Sequence, residues 1–204
     1  MVRGSDSVIV ATDDRRIVEA VKSFGGQVRM TSSTHRTGTE RVAQVARSLR
    51  SEVIVNLQGD QPFIDPHCIE RSVAPLSKGD GTLMATLMYP IFEMDVLESH
   101  DVVKVITDRN GFALYFSRQP IPCYRDGFPG GRHPLGYKHI GIYAYRRNFL
   151  LTCARLKPTP LEKAEKLEQL RALEYGYRIK VVKAPSDSLH VDTPEDLEKA
   201  RRLI

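Results

Sequence analysis

A short apolar segment in the first third of the chain ends at a carboxylate. Residues 53–57 are rich in β-branched side chains and are followed by Gly59, Asp60 and Pro62. This pattern predicts a buried parallel strand whose carboxyl end brings Asp60 to the rim of a sheet. Ligands of open α/β sheets bind at that rim. An ordinary turn explains the same residues, because Gly, Asp and Pro are common in turns.

A second carboxylate, Asp192, stands directly before a predicted helix. The sequence Thr193-Pro194-Glu195-Asp196 is typical of a helix start, so Asp192 is also explained as part of a cap. Two aspartates at loop edges are, however, the minimum needed to hold Mg²⁺ against the phosphates of a substrate. Asp60 and Asp192 together therefore suggest a magnesium site.

Three further polar residues lie in or beside predicted strands. His139 and Tyr143 have the same parity in the predicted strand 138–146, so their side chains share one face. Arg118 follows an apolar strand that ends at Phe116, and a guanidinium there suits bidentate binding of a carboxylate. A structural histidine and a structural ion pair remain open as alternative interpretations.

Glu168 and Gln169 lie in a predicted helix that spans residues 161–175. Their neighbours Leu167 and Leu170 mark the buried stripe of that helix. Most acids in such a position are solvated, so these two residues alone do not indicate a site.

The rest of the chain alternates strands with helices. Strands are predicted at 8–12, 27–30, from 53, 82–88 and 178–183, and helices from 14 to 25, 39–49, 66–76, 148–155 and 194–203. This order predicts an α/β fold with a mainly parallel sheet and right-handed crossovers. The pair Asn110-Gly111 predicts a β-hairpin between 102–107 and 112–116. The Pro- and Gly-rich segment 119–134 predicts a long loop, a candidate lid or oligomer contact.

Composition favours one cytosolic domain. With 204 residues, of which 41% are hydrophobic, the chain can bury one substantial core, so we expect a single domain over 1–204. A net charge of +5 without a long basic run favours a small anionic substrate over nucleic acid. Three cysteines without metal-ligand spacing suggest reduced thiols. The sequence has neither a signal peptide nor a bilayer-spanning stretch, so we expect a cytoplasmic protein without membrane insertion.

Six segments, in order along almost the whole chain, resemble the 3-deoxy-manno-octulosonate cytidylyltransferase family, the CMP-Kdo synthetases. They are residues 34–41, 56–62, 115–118, 139–143, 167–171 and 191–197. The resemblance implies a three-layer, Rossmann-like nucleotidyltransferase fold with a β-hairpin and long-loop insertion. It also implies Mg²⁺-dependent transfer of CMP from CTP to 3-deoxy-D-manno-octulosonate (Kdo) for lipopolysaccharide biosynthesis, with release of pyrophosphate, by a homodimer.

The same resemblance assigns roles to individual residues. It makes Asp60 and Asp192 the catalytic metal ligands, and gives the carboxylate of the sugar acid to Arg118. The residues implied at the nucleotide are Arg36, Gly38, Arg41 and Gln58, and those implied at the hydroxyls of the sugar are His139, Tyr143, Glu168 and Gln169.

The chain departs from the family pattern at its beginning. Family members open with a strand and a basic, glycine-containing loop that grips the triphosphate, whereas residues 1–6 resemble the end of the first helix. We therefore expect a chain of this length to bind CTP far more weakly than one with that segment in front. The alternatives are a related sialic-acid cytidylyltransferase and a truncated, non-catalytic module that binds Kdo or dimerises.

Overall fold

The structure is a computed structural model that describes residues 7–79, 81–128, 131–187, 191 and 193–202. Its strands are β1 (Ile9–Thr12), β2 (Gln27–Met30), β3 (Val53–Leu57), β4 (Met84–Ile91), β5 (Lys104–Thr107), β6 (Ala113–Ser117), β7 (Gly136–Arg146) and β8 (Lys180–Lys183). Its helices are α1 (Arg15–Ser23), α2 (Gly38–Ala46), α3 (Pro66–Val73), α4 (Met94–Glu98), α5 (Arg147–Cys153), α6 (Pro160–Glu165), α7 (Gln169–Glu174) and α8 (Pro194–Arg201), and a 3-10 turn covers Ala74–Lys78. The predicted alternation of strands and helices is confirmed.

The long strand β7 organises the larger sheet. One of its edges pairs with β4 along almost its whole length, and the other edge is shared by β3 and β5. All three pairings are antiparallel, while β4 pairs with β8 in parallel. Strands β3, β4, β5 and β8 therefore run in one direction, as predicted for most of the sheet. The reversed β7 between them makes most neighbouring pairs antiparallel, which the alternation of elements did not indicate.

Alternate residues of β4 and β7 face two different layers of helices. Met84 and Met88 pack in the core that includes residues of α2, α5 and α7, whereas Leu87 packs with Ile140 and Ile142 on the face covered by α3. Each strand is thus buried on both sides, which explains its nearly continuous apolar sequence. This arrangement is the predicted three-layer α/β fold.

The remaining strands form a separate pair and a hairpin. Strands β1 and β2 form a separate parallel pair, and β5 and β6 form the predicted hairpin around Asn110-Gly111. Within the described part of the segment 119–134 there is neither helix nor strand, as predicted. None of the helices in the described ranges is long and apolar enough to cross a bilayer.

One predicted helix is wrong in its length. The segment 161–175 is not continuous, because Lys166 adopts a left-handed conformation (φ 56°) that ends α6, and α7 begins only at Gln169. A run of good helix formers hid this break, since Lys rarely adopts a positive φ. The break turns residues 166–169 toward the sheet, where they line a cavity.

Candidate active site

A cavity of about 490 Å³ lies on the α5 and α7 side of the sheet. Its floor is formed by alternate residues of β7, and its walls by the ends of β3 and β6, the loop before β5 and the segment between α6 and α7. The predicted site residues that line it are Gln58, Asp60, Arg118, His139, Tyr143, Glu168 and Gln169. Residues that are more than 100 positions apart in the chain therefore meet at one cavity.

The loop that follows β3 brings Asp60 to this cavity. Asp60 Oδ1 is buried and has no hydrogen-bond partner among the described residues. The Asp60 carbonyl accepts a hydrogen bond of 2.8 Å from the backbone N–H of Val191. Asp192 lies outside the described residues, but this bond holds the neighbouring Val191 directly against the Asp60 loop.

The N-terminus of α2 forms a second side of the cavity. Thr37 caps the helix by accepting a hydrogen bond from Glu40 N, and the buried Thr39 lines the cavity. A side chain at Gly38 would touch the amide of Gln58 at 3.5 Å, so the helix start lies beside that amide. Because the first turn of a helix has free N–H groups, this wall suits an anionic ligand.

Close packing at β7 depends on Gly141. A Cβ at this position would lie 2.9 Å from Gln61 Nε2 and 3.6 Å from Gln58 Cγ. Glycine thus allows the loop that carries Gln58 and Asp60 to lie directly on the floor of the cavity.

Arg118 is anchored through both its backbone and its side chain. Its backbone N–H donates to Glu165 Oε2 (2.9 Å), while its Nε donates to the Glu165 carbonyl and its Nη1 to the His100 carbonyl, both at 2.9 Å. A guanidinium has five N–H donors, so these bonds fix its direction without using all of them. Arg118 is therefore held in one orientation with N–H donors left over, which is the arrangement that anion binding requires.

The fully buried Lys104 helps to hold the backbone of Arg118 in place. Lys104 Nζ donates to the carbonyls of Ser99 (2.8 Å), Val102 (2.6 Å) and Arg118. Burial lowers its pKa, the nearby Arg118 lowers it further, and Glu165 opposes the shift. Three carbonyl acceptors match the three N–H bonds of an ammonium group, so this charge ties the loop before β5 to the end of β6.

His139 is held by a buried hydroxyl and by two aromatic rings. Its Nε2 lies 2.8 Å from Thr86 Oγ1 on β4. The Phe116 ring packs edge-on against the imidazole at 5.1 Å, and the Tyr143 ring lies 5.3 Å away. The predicted shared face of His139 and Tyr143 is therefore confirmed by geometry.

Two ionisable groups that line the cavity, Glu168 and Tyr143, have a raised pKa, which favours their neutral forms. Burial raises the pKa of Glu168, although hydrogen bonds from the Thr37 and Thr39 hydroxyls oppose that shift. Burial also raises the pKa of Tyr143 far above its ordinary range, and the charge of Glu168 adds to this. Tyr143 is consequently a neutral hydroxyl, able to donate a hydrogen bond within the cavity.

Cys153 also lines the cavity but is not a nucleophile. Burial raises the pKa of this thiol to about 12, and the neighbouring Glu168 contributes. The thiolate is the reactive form of cysteine, so a thiol with this pKa stays inert at neutral pH.

Two predicted nucleotide residues lie away from the cavity. Arg41 bridges to Thr31 Oγ1 (2.6 Å) and to Asp13 Oδ2 (3.0 Å), which ties α2 to the loop after β1. The exposed Arg36 donates its backbone N–H to Glu40 Oε2. The nucleotide role of both arginines stays a prediction.

The described residues supply only part of a ligand set for a divalent cation. The unpartnered buried oxygen of Asp60 is the ligand type that Mg²⁺ prefers. Within the described ranges there is no group of three or more His, Cys, Asp or Glu side chains that could hold a metal. Asp60 thus fits as one carboxylate ligand, beside the backbone that leads to Asp192.

Sequence reasoning missed several residues that build the cavity. They are Thr39, Thr86, Lys104, Gly141, Glu165 and Lys166. Thr86 and Lys104 each interrupt an apolar, strand-like run, and a polar residue inside a buried strand is a usable signal. The other four carry no comparable signal, because their roles depend on contacts between distant segments.

The fold and the chemistry of this cavity define a nucleotidyltransferase of the cytidylyltransferase class. The model of the family described as "Cytidylyltransferase" matches residues 2–180. The solved structure of CMP:2-keto-3-deoxy-manno-octonic acid synthetase complexed with CTP superposes with a TM-score of 0.91 at 37% identity, over 100% of this chain and 82% of that one.

Curated relatives give the particular family. The 3-deoxy-manno-octulosonate cytidylyltransferase of Geobacter metallireducens is 54% identical over 200 residues, which cover 94% of this chain and 78% of the relative. The enzyme of that name from Solibacter usitatus is 51% identical, over 97% of this chain and 77% of the relative. The chain belongs to the 3-deoxy-manno-octulosonate cytidylyltransferase family.

Proposed function

We propose that this protein transfers CMP from CTP to Kdo and releases pyrophosphate, which yields the CMP-Kdo used in lipopolysaccharide biosynthesis. The observation that carries this proposal is a single cavity lined both by an anchored arginine, Arg118, and by Asp60, whose buried Oδ1 has no hydrogen-bond partner among the described residues. A sugar acid needs a cation for its carboxylate, and a nucleotide phosphate needs a metal ligand close by.

The reaction itself requires positioning more than covalent help. The anomeric hydroxyl oxygen of Kdo attacks the α-phosphorus of CTP, a new P–O bond forms, and the bond to the β-phosphate oxygen breaks in line. In our proposal Arg118 holds the sugar carboxylate, while the sugar hydroxyls are held by His139, Tyr143, Glu168 and Gln169. The nucleotide is faced by Gln58, which follows β3, and by Gly38, at the start of α2. Arg36 and Arg41 act on it from outside the cavity.

We propose Mg²⁺ as the cofactor, with Asp60 and Asp192 as its protein ligands. A bound Mg²⁺ would neutralise phosphate charge and orient the reacting oxygens. The buried, unpartnered Oδ1 of Asp60 supports this assignment, as does the hydrogen bond between Val191 N and Asp60 O.

A competition assay tests the proposed activity. CTP-dependent release of pyrophosphate should be faster with Kdo than with sialic acid at equal concentration, since the family relatives bear the name of the Kdo enzyme. A preference for sialic acid would refute the substrate. Kdo binding in a calorimeter without pyrophosphate release at any magnesium concentration would instead indicate a binding module rather than an enzyme.

We also propose that the protein acts as a cytoplasmic homodimer, with the segment 119–134 at the interface. Phe92 and Phe128 are 59% and 46% exposed, and Leu135 N donates a hydrogen bond to Ile91 O, so exposed apolar side chains lie within this loop and beside its carboxyl end. Light scattering on the purified protein should give twice the mass of one chain. A Phe92→Ser variant should weaken that dimer, and a wild-type monomer would contradict the proposal.

A further inference from the structure

The turn between α6 and α7 contains a lysine in a backbone conformation that favours glycine. Lys166 has φ 56° and ψ 43°, and it is the one non-glycine residue with a positive φ in the part of the chain that the structure describes. A left-handed residue is an ordinary way to end a helix, but glycine adopts that conformation most easily because it has no Cβ. The end of α6 therefore explains the conformation, whereas it does not explain the choice of lysine.

Hydrogen bonds on both sides of Lys166 hold the turn in this form. The N–H groups of Lys166 and Leu167 both donate to the Glu162 carbonyl, the second at 3.2 Å. The Glu165 carbonyl, which belongs to the same peptide group as the Lys166 N–H, accepts from Arg118 Nε at 2.9 Å. The peptide group that precedes the Cα of Lys166 is thus in direct contact with the guanidinium of Arg118.

Lys166 is exposed and lines the cavity together with three other cationic side chains. Lys138 and Arg171 are each paired with a carboxylate, and Arg118 donates to two backbone carbonyls. The Lys166 ammonium, in contrast, forms neither a hydrogen bond nor an ion pair with another described residue. All three of its N–H donors are therefore available to a ligand.

We propose that Lys166 is a second cation for the carboxylate of the sugar acid, beside Arg118, and that the chain keeps a lysine in a left-handed position for this contact although glycine would make the turn more stable. The residues that follow it, Leu167, Glu168 and Gln169, line the same cavity. The two oxygens of a carboxylate can accept hydrogen bonds from two cations at once. The identity of the ligand rests on the proposed function, whereas the effect of the lysine on stability can be measured without any ligand.

Thermal unfolding of the full chain tests the effect on stability. Lys166→Gly should raise the melting temperature by about 2 °C, because the left-handed position no longer carries a Cβ. Lys166→Arg keeps both the charge and the Cβ, so its melting temperature should match that of the wild type. A lower melting temperature in Lys166→Gly than in Lys166→Arg would overturn the proposal, since the lysine would then stabilise the turn.

Calorimetric titration with Kdo tests the contact. Lys166→Gly should bind Kdo about tenfold more weakly than the wild type, the effect of one charged hydrogen bond, while Lys166→Arg should stay within about twofold. Lys163→Gln is the control, because it removes an exposed lysine of α6 that does not line the cavity, and its Kdo affinity should match that of the wild type. The methyl ester of Kdo has no carboxylate charge, so the wild type and Lys166→Gly should bind it with equal affinity.

Four results would contradict these expectations, and they differ in what they refute. Equal Kdo affinity of the wild type and Lys166→Gly would refute the contact. The same loss for Kdo and for its methyl ester would refute a contact with the carboxylate, and the same loss in Lys163→Gln would mean that only the net charge of the chain matters. A wild type that does not bind Kdo would refute the proposed function itself.

Discussion

Two glutamates six residues apart, Glu162 in α6 and Glu168 just before α7, have opposite electrostatic environments. Glu162 is buried and forms a two-pronged pair with Arg171, in which Nε donates to Oε2 at 2.8 Å and Nη2 donates to Oε1. At Glu168, the neighbouring hydroxyls of Thr37 and Thr39 are the main groups that lower the pKa against the effect of burial. The guanidinium of Arg171 satisfies the Glu162 carboxylate within the protein. Hydroxyl groups are weaker partners, so they offset the burial of the Glu168 carboxylate less fully.

The pKa shifts of the two glutamates reflect this difference. Burial alone would raise the pKa of Glu162, but the hydrogen bonds and charge of Arg171 outweigh it and lower the pKa. Burial dominates at Glu168 and raises its pKa. A carboxylate with a lowered pKa stabilises the fold. A carboxylate in a cavity whose burial is only partly offset by protein partners can still bind a ligand. We therefore expect the Glu162 region to be structural and the cavity carboxylates, Glu168 and Asp60, to be functional.

The largest expected effect is at Asp60, where function and folding should separate most widely. Asp60→Asn should lower turnover about 100- to 1,000-fold, because the proposed metal ligand of the transition state would be lost. Its melting temperature should stay near that of the wild type, since Oδ1 has no partner among the described residues. Initial rates of pyrophosphate release and a thermal melt measure both quantities.

An exposed aspartate provides the matched control for this substitution. Asp95 lies on α4, and its Oδ1 accepts a hydrogen bond from Val96 N. Asp95→Asn should leave turnover within about twofold of the wild type, as expected for a surface substitution. Unchanged turnover in Asp60→Asn would remove Asp60 from the metal site.

The next effect should be on stability alone. Glu162→Gln should lower the free energy of unfolding by about 3 kcal/mol, because Arg171 is left as a buried charge without its partner. Turnover per folded molecule should change far less than in Asp60→Asn. Urea titration measures the loss. Glu198→Gln is the control, since Glu198 pairs with Arg201 at the surface and should contribute below about 1 kcal/mol. Equal losses in the two variants would contradict a structural role for the buried pair.

The sequence indicated the strands and most helices because their apolar periods are local. It also indicated Asp60 and Arg118, which follow the ends of β3 and β6, and His139, which shares a strand face with Tyr143. It did not reveal the break at Lys166 or the reversed β7. Both depend on tertiary packing, which can overrule the helix propensity of residues 161–175 and the strand order suggested by alternation.

The residues that support the cavity were harder to predict than the residues that line it. Glu165 appears in the sequence as one more helical acid, yet in the fold it accepts hydrogen bonds from Ser117, Tyr115 and the Arg118 backbone. Such a role exists only when two segments 47 residues apart are in contact. No local period or propensity encodes that contact.

The third substitution should have the opposite outcome to Glu162→Gln, because it should weaken substrate binding without lowering stability. Glu168→Gln should raise the KM for Kdo about tenfold, through one weakened hydrogen bond, with little change in the KM for CTP. Its free energy of unfolding at neutral pH should not fall, because the substitution removes a charge that burial disfavours. Steady-state kinetics with each substrate varied in turn measures the split. An equal rise in both KM values would indicate a general disturbance of the cavity instead.

The smallest effect, and the most direct test of the contrast, is the pH dependence of the two stability changes. Glu162 has a lowered pKa in the folded state, so its stabilisation is complete above its unfolded pKa and is lost as pH falls through the folded value. Glu168 has a raised pKa, so its charge disfavours folding once pH rises above the unfolded value, and the full cost is reached above the folded pKa. The loss in Glu162→Gln and the gain in Glu168→Gln should therefore have opposite signs at neutral pH, and both should shrink as the medium is acidified. Urea titrations of both variants and the wild type at several pH values between neutral and acid measure this. Changes of the same sign at neutral pH would mean that the two carboxylates share one structural role, and the distinction between a structural and a functional glutamate would fail.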